Sequence, residues 1–324
     1  MIHADPATTP LVTGPAQSLI RGVEVWEVAP EGDKLRWSSG AYGPHDAFAE
    51  ESRRTTFELG EGLPGMVWKT GSPHIMHSLF TGEFKRAEAA RAAGLSCGIA
   101  MPFSNDREFR GVLVFLCDDG DQGQGAFEIW VQNERRELGL SASYYANLSH
   151  FSRLSHFVKF PRGSGLPGQT WQMRFPRLMS SLAESPAFMR GAGARASGLN
   201  MGLGLPCMRS AWELDSVVVM LSSASTPLAR AIEIWMKTGD EQHRFHSGHF
   251  GDCREIAPAS HEVIGGGQGL VQQVAAAGLP IVFPNCQAIE PERAAAFAKH
   301  SLTTTVGMPI FVGSVPVATV LMYL

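Results

Sequence analysis

Cysteine is scarce in this chain of 324 residues: Cys97, Cys117, Cys207, Cys253 and Cys286 are an odd number, scattered without a CxxC pair. That argues against a disulfide framework and agrees with a reducing compartment. No apolar run reaches the roughly 18 residues that a membrane-spanning helix needs. The N-terminus, MIHADPATTPLVTGPAQSLI, lacks both a basic n-region and an apolar h-region, so neither a membrane partner nor a secretory leader is expected, and the cytoplasm is the expected location. Charge of one sign is also missing. The 27 basic and 31 acidic residues alternate in short stretches to a net −4, giving no sustained positive field of the kind that phosphate-backbone binding needs. Nucleic acid is therefore not expected as a partner. A nucleophile elbow, a paired-carboxylate motif and a P-loop lysine are absent too, and no catalytic residue is assigned.

What is present is globular material, 44% hydrophobic and 18% charged, in a chain too long for one ordinary core. It is organised as a repeat of about 104 residues. Glu24-Val25-Trp26 returns as Glu128-Ile129-Trp130 and Glu233-Ile234-Trp235. A glycine turn, GEGLPG from Gly60, returns as GSGLPG from Gly163 and GQGLVQ from Gly267, each followed at a fixed distance by Pro73, Pro176 or Pro280. Arg86, Arg190 and Arg293 each precede a leucine (Leu95, Leu199, Leu302) by nine residues. The stretches GIAMP, GLGLP and TVGMP then end at Pro102, Pro206 and Pro309. Five landmarks in one order predict three domains, near 20–120, 121–225 and 226–324, after an N-terminal extension, 1–19.

Within repeat one, VEVWEVA and LRWSS read as strands around a Pro-Glu-Gly-Asp turn, and TTFEL as a third strand beyond a short helix. The glycine turn opens a helix with Pro64 in its first turn, where a missing N–H costs nothing. Gly71 suits the left-handed cap that ends it. PHIMHS is a short strand and FKRAEAARAAG a second helix closed by Gly94. CGIAMPF and GVLVFLC are the last two strands, joined by the polar turn SNDREF. The continuous apolar runs GVLVFLC, SVVVML and ATVLMYL predict burial on both faces of the sheet.

The order GEGLPG, VWKTGSPHIM, FKRAEAARAAGL, GIAMPF, RGVLVFL resembles the core of a GAF domain, as found in bacterial sensor kinases. Repeat three matches less closely: Gln272 replaces a helix-opening glycine, and Pro291 stands where Phe84 and Phe188 stand. In repeat two Arg174 replaces the helix-ending glycine. The resemblance implies an α+β fold of three tandem GAF-like domains, each a six-stranded antiparallel sheet with helices packed on it. It also implies a pocket between sheet and helices, lined by His74, Met76, Phe84, Arg86, Cys97, Ala100 and Met101 in repeat one. In repeat two the matching residues are Met179, Phe188, Arg190 and Leu205. A ligand there would be largely apolar with a few polar handles; the other reading is that these side chains fill a core. The long flanking helices of the family are not expected, since the joins DDGDQGQGA (118–126) and SSASTPLARA (222–231) are short and polar. The open sheet faces are then expected to be covered by sister repeats or by a homo-oligomer partner.

The remaining motifs admit two readings each. The glycine turns satisfy G-x-G-x-x-G, but they follow the third strand and recur, so a tight turn with close helix packing is expected rather than a dinucleotide site. The repeated arginines are expected on a solvated helix face, the alternative being an anchor for an anionic ligand. Each repeated glutamate shares a strand face with its tryptophan. His243, His246, His249, Cys253 and His261 are a local set of metal-ligand residue types, but strand spacing puts only His243 and His249 on one face, so no metal is assigned. Cys97 has no adjacent base and reads as a small buried residue. The expectation is a non-enzymatic sensory, ligand-binding or scaffold protein of signal transduction that binds a small molecule or a partner and acts through a partner protein, with no cofactor named. The alternative is a redox enzyme, or a bilin, haem or metal carrier, using Cys97 or the His243–His261 stretch.

Overall fold

The computed structural model describes residues 18–105, 108–118 and 124–324. Most of the N-terminal extension, the tip of the SNDREF turn and the middle of the first join lie outside them. Repeat one runs β1 (Ile20–Val28), β2 (Leu35–Ala41), α1 (Asp46–Arg54), β3 (Thr56–Phe57), α2 (Gly62–Thr70), β4 (His74–Met76), α3 (Ala87–Ala92), β5 (Cys97–Asn105) and β6 (Glu108–Cys117). Its antiparallel sheet has the order β3-β2-β1-β6-β5-β4. Repeat two reproduces it with β7 (Gly125–Gln132), β8 (Glu137–Ala146), α4 (Ser149–Phe157), β9 (Phe160–Pro161), α5 (Gly165–Met173), β10 (Arg177–Ser180), α6 (Gly191–Ala196), β11 (Leu199–Met208) and β12 (Leu214–Ser223). Repeat three has β13 (Ala231–Lys237), β14 (Gln242–His249), a single 3-10 turn at Arg254–Ile256, β15 (Val263–Gly265) and α7 (Leu270–Ala277). It continues with β16 (Ile281–Phe283), α8 (Cys286–Ile289), α9 (Ala294–Lys299), β17 (Thr305–Val312) and β18 (Val315–Tyr323). The α+β fold is thus that of three GAF-like domains, each a six-stranded antiparallel sheet carrying helices.

Local chemistry accounts for the punctuation. Gly71 ends α2 at φ 66°, and Gly278 ends α7 at φ 59°. Arg174 ends α5 in the same left-handed region at φ 50°, where a side chain costs roughly 1 kcal/mol or more; its guanidinium donates to Ala211 O and lies over the Trp212 ring. The glycine turn is a packing device: a Cβ at Gly65 would overlap the Glu58 carbonyl, and one at Gly168 that of Pro161. Two expected elements are shorter than read. TTFEL contributes only Thr56–Phe57 to the sheet, and the second helix is confined to Ala87–Ala92, which leaves Phe84 and Arg86 outside it.

Strand alternation gives each sheet two apolar faces. One packs beneath that repeat's own helices, as with Trp26, Leu63, Phe84, Ala100 and Val114 in repeat one. The other faces join in a single cluster drawn from all three repeats, including Ile99, Met101, Phe115, Leu203, Leu205, Met220, Met308 and Val320. The repeats close a ring: β4 lies against β8, β10 against β14, and β16 against β2. Equivalent joints carry a hydrogen bond each. Ser72 Oγ donates to Asp215 Oδ1 (2.8 Å), Ser180 Oγ meets His249 Nδ1 (3.3 Å), and the Val282 N–H donates to Ser39 Oγ (3.1 Å). Leu19, just before β1, is buried in the shared cluster, and its N–H donates to Pro227 O, tying repeat one to the join between repeats two and three.

Candidate functional site

The repeated glutamate, tryptophan and arginine meet under the helices of every repeat. A register shift between Val25 and Trp26, Ile129 and Trp130, and Ile234 and Trp235 recurs in each first strand pair. Glutamate and tryptophan, two residues apart on one strand, face the helices together. Trp26, Trp130 and Trp235 donate their Nε1–H to Glu24, Glu128 and Glu233, at 3.1, 2.9 and 2.8 Å. The arginine arrives from the residue just before α3, α6 or α9. Arg190 spans both Glu128 oxygens, Nη1 to Oε1 at 2.5 Å and Nη2 to Oε2 at 2.9 Å, and Nη1 also donates to Ser155 Oγ at 2.7 Å. Arg86 makes the same three bonds to Glu24 and Ser52, and Arg293 pairs with Glu233.

These arginines are neither on a solvated helix face nor free to hold an anion, which corrects both expectations for Arg86 and Arg190. Their side chains are 1% and 2% exposed, and the carboxylates 0%. Because each arginine precedes its helix, its side chain drops inward instead of following the helix surface. Four rings surround each guanidinium carbon: Trp26, Phe48, Phe57 and Phe84 at 4.7–5.9 Å from Arg86, and Trp130, Phe151, Phe160 and Phe188 at 4.7–5.5 Å from Arg190. A buried cation above aromatic faces is electrostatically favoured. The space that a ligand between sheet and helices would enter is filled by the protein's own arginine.

A tyrosine hydroxyl completes the cluster. Tyr145 donates to Glu128 Oε1 at 2.8 Å, and burial pushes its phenol well above the ordinary range. Repeat three carries Phe250 at the Tyr42 and Tyr145 station, and there Tyr323 of the last strand donates to Glu233 Oε2 at 3.2 Å. Tyr323 stands where Leu116 and Leu221 stand, so the hydroxyl has moved to a neighbouring strand while its acceptor stayed. Burial raises the Glu233 carboxyl against the downward pull of Arg293 and Trp235. Arg293 also donates to Ile256 O at 2.6 Å, and at 21% exposure it is the only one of the three that water reaches appreciably.

Of the remaining expected pocket residues, Met76, Phe84, Ala100, Met179 and Phe188 do lie on the helix side, packed in the domain cores. Cys97, Met101 and Leu205 do not: alternation sends them into the shared central cluster, one strand position out of phase with Ala100. In repeats two and three the helix also packs tightly on the strand residue that matches Ala100. A Cβ added at Gly204 would overlap Thr170 Oγ1, and one at Gly307 would overlap Val274 Cγ2. His74 sits on the edge strand, 3.0 Å from Thr70 Oγ1, lowered by burial while Asp215 pulls it up. It lines a concavity of about 590 Å³ at the joint between repeats one and two, with Ser72, Ser141, Arg209 and Asp215. Concavities of about 500 and 450 Å³ lie at the joints of repeat three with one and of two with three.

The histidine-rich stretch does not converge. His243 is buried on β14, His246 lies 4.8 Å from the Phe175 ring across a joint, and His249 bonds Ser180. All five cysteines are buried and outside disulfides, and burial raises the thiols of Cys117, Cys207, Cys253 and Cys286.

No protein-family model matches this sequence, and no curated protein matches it. Solved structures match one repeat's length of it. A mutated NreA protein from Staphylococcus aureus, altered in its nitrate binding site, is 18% identical over 32% of this chain and 75% of its own, with a TM-score of 0.26. The free methionine-R-sulfoxide reductase from Neisseria meningitidis is 16% identical over 30% and 52%, with a TM-score of 0.24. The A. aeolicus nlh2 GAF domain in an inactive state is 23% identical over 32% and 60%, with a TM-score of 0.25. Among the described residues no helix is long and apolar enough to cross a membrane.

Proposed function

We propose that this chain is a non-enzymatic sensory or scaffold protein of signal transduction that acts on a partner protein through its surfaces. The observation that carries this reading is the arginine seated in the sheet–helix space of repeats one and two, caged by four rings and paired with a buried glutamate. A side chain so held leaves no room there for a small molecule. The thiol of Cys97 faces the shared core, away from the helices and from solvent, which removes the geometry a catalytic thiol or a bilin attachment needs. Places open to a small ligand among the described residues include the joints between repeats and a concavity of about 330 Å³ within repeat three, beside His243 and Gln272. The sister sheets already bury each other's open faces, so this chain needs no second copy to cover them.

Three exposed apolar side chains set repeat two apart from repeat one. Leu154, Phe157 and Met189 are 40%, 86% and 54% exposed, at stations where repeat one carries Glu51, Arg54 and Lys85. The fold tolerates charge at all three, so apolar side chains there serve something outside the fold. Arg153, His156 and Lys159 flank them in sequence, which suits an acidic face on the partner protein.

The test is native mass spectrometry with an absorption spectrum, on protein purified from its own host and stripped of metals by a chelator. The bare polypeptide mass, with no absorption beyond that of the aromatic residues, is expected. A retained organic molecule would overturn the scaffold reading and leave a small-molecule sensor that binds outside the arginine cages.

A further inference from the structure

The divergence of repeat three is concentrated at one point. Each repeat places one residue just before its first helical segment and another just after the helix that precedes the long central strands. In repeat one these are His45 and Ala93, and in repeat two Leu148 and Ser197. In repeat three they are Cys253 and His300, and the residue before Cys253 is Asp252, where the others have Pro44 and Asn147. A thiol, an imidazole and a carboxylate thus replace residues that bring no such donor set together. Their donor atoms all lie within 4.8 Å of one another, although Cys253 and His300 are far apart in sequence.

Neighbouring groups already orient the three. Arg230 Nη2 holds Asp252 Oδ2 at 2.9 Å, which leaves Oδ1 facing the thiol; the Cys253 S–H donates to it at 3.3 Å. His300 Nε2 lies 2.9 Å from Glu255 Oε2, and such carboxylate contacts fix the rings of ligating histidines. We propose that Asp252, Cys253 and His300 form a zinc-type site for a divalent transition-metal ion, with water in the fourth position. One sulfur, one nitrogen and one oxygen donor suit tetrahedral Zn²⁺, and the thiolate disfavours Mg²⁺ and Ca²⁺. Binding exchanges the S–H bond for a metal–sulfur bond and releases one proton to solvent, with no change of oxidation state. The Arg230 guanidinium, 3.8 Å from the sulfur, gives up that contact and keeps its bond to Asp252 Oδ2.

Such a site has a structural task. In repeats one and two the arginine is roofed by a nine-residue helix, α1 or α4, with Ser52 or Ser155 on its inner face. Repeat three has only the three-residue turn Arg254–Ile256 there, whose Ile256 carbonyl accepts from Arg293. A metal joining Cys253, at the start of that turn, to His300, at the end of α9, clamps the reduced roof onto the helix beside it.

The experiment is titration of the chelator-stripped full chain with Co²⁺, then Zn²⁺, read by absorption. One equivalent of Co²⁺ is expected to give a thiolate-to-cobalt charge-transfer band with tetrahedral ligand-field bands, and Zn²⁺ to abolish both. In Cys253→Ser with an unchanged circular dichroism spectrum the charge-transfer band disappears. Should that variant fail to fold, His300→Ala, at a half-buried position, is expected to weaken Co²⁺ binding at least about tenfold, the lower end of what site partners contribute. No band in the wild-type chain, an undiminished band in Cys253→Ser, or unchanged affinity in His300→Ala overturns the site.

Discussion

Replacing Arg86 with methionine isolates what the buried pair does. The substitution keeps an unbranched apolar side chain among Trp26, Phe48, Phe57 and Phe84, but removes the donors that span both Glu24 oxygens and reach Ser52. Glu24, fully buried, then keeps the Trp26 Nε1–H as its one donor from this cluster. Breaking a buried pair by removing one partner costs about 3–5 kcal/mol, because the remaining charge is uncompensated. That is a large part of the total stability of a folded domain, roughly 5–15 kcal/mol. Adding Glu24→Gln removes the stranded charge and leaves a carbonyl to accept from Trp26. The double variant is therefore expected to sit only about 1–2 kcal/mol below wild type, reflecting the lost bond to Ser52 and the lost cation over the rings. The recovery on adding Glu24→Gln, about 2–3 kcal/mol, is read from equilibrium urea unfolding by circular dichroism and by tryptophan fluorescence, which must coincide for the numbers to be used. If Arg86→Met lies within about 1 kcal/mol of wild type, or the double variant is no better than the single, the arginine is not the buried partner described here.

Other expectations follow from the same geometry. Gly204→Ala puts a carbon onto Thr170 Oγ1 and is expected to lower stability by about 1–3 kcal/mol through overpacking; thermal unfolding alongside Gly82→Ala, where a Cβ meets nothing, checks it. His74, His243, His246 and His249 are all lowered by burial, so the unfolded chain takes up protons near pH 6.5 that the folded chain refuses. Stability from these groups is complete above about pH 6.5 and falls as pH drops below it; a melting temperature independent of pH between 7 and 5 would contradict this. Transplanting the repeat-one residues as Leu154→Glu, Phe157→Arg and Met189→Lys is expected to change stability by less than about 0.5 kcal/mol each, as for surface positions without a structural task. A melting temperature markedly below wild type would mean that the patch belongs to the fold. Tyr145→Phe removes a hydrogen bond to a buried carboxylate and is expected to cost about 1.5–3 kcal/mol, measured by urea unfolding beside Tyr323→Phe, its counterpart in repeat three.

The fold was legible because its signals are local. Gly71 and Gly94 mark helix ends, the apolar runs of β6, β12 and β18 mark strands buried on both faces, and five spaced landmarks mark the period. The cluster was half legible. Glutamate and tryptophan share a strand face by arithmetic, and Glu24 with Arg86, Glu128 with Arg190 and Glu233 with Arg293 recur at separations of 62, 62 and 60 residues. Two opposite charges repeating together were the available signal. Read as one helix, FKRAEAARAAG places Arg86 on a helix surface, whereas the helix begins at Ala87 and turns Arg86 inward. The strand residues expected in the pocket fall out of phase with one another: Ala100 and Met101 are adjacent and so cannot line the same side of a strand. The meeting of Asp252 and Cys253 with His300 depends on how a shortened roof sits on α9, which no local pattern encodes.

The sheet–helix space of repeats one and two is occupied by the chain's own arginine. A crystal structure of protein purified from its own host tests it most directly. Density for the Arg86 guanidinium among Trp26, Phe48, Phe57 and Phe84, and for Arg190 among Trp130, Phe151, Phe160 and Phe188, is the expected result. Density for a bound molecule in either cage, with the arginine turned out to solvent, would contradict it.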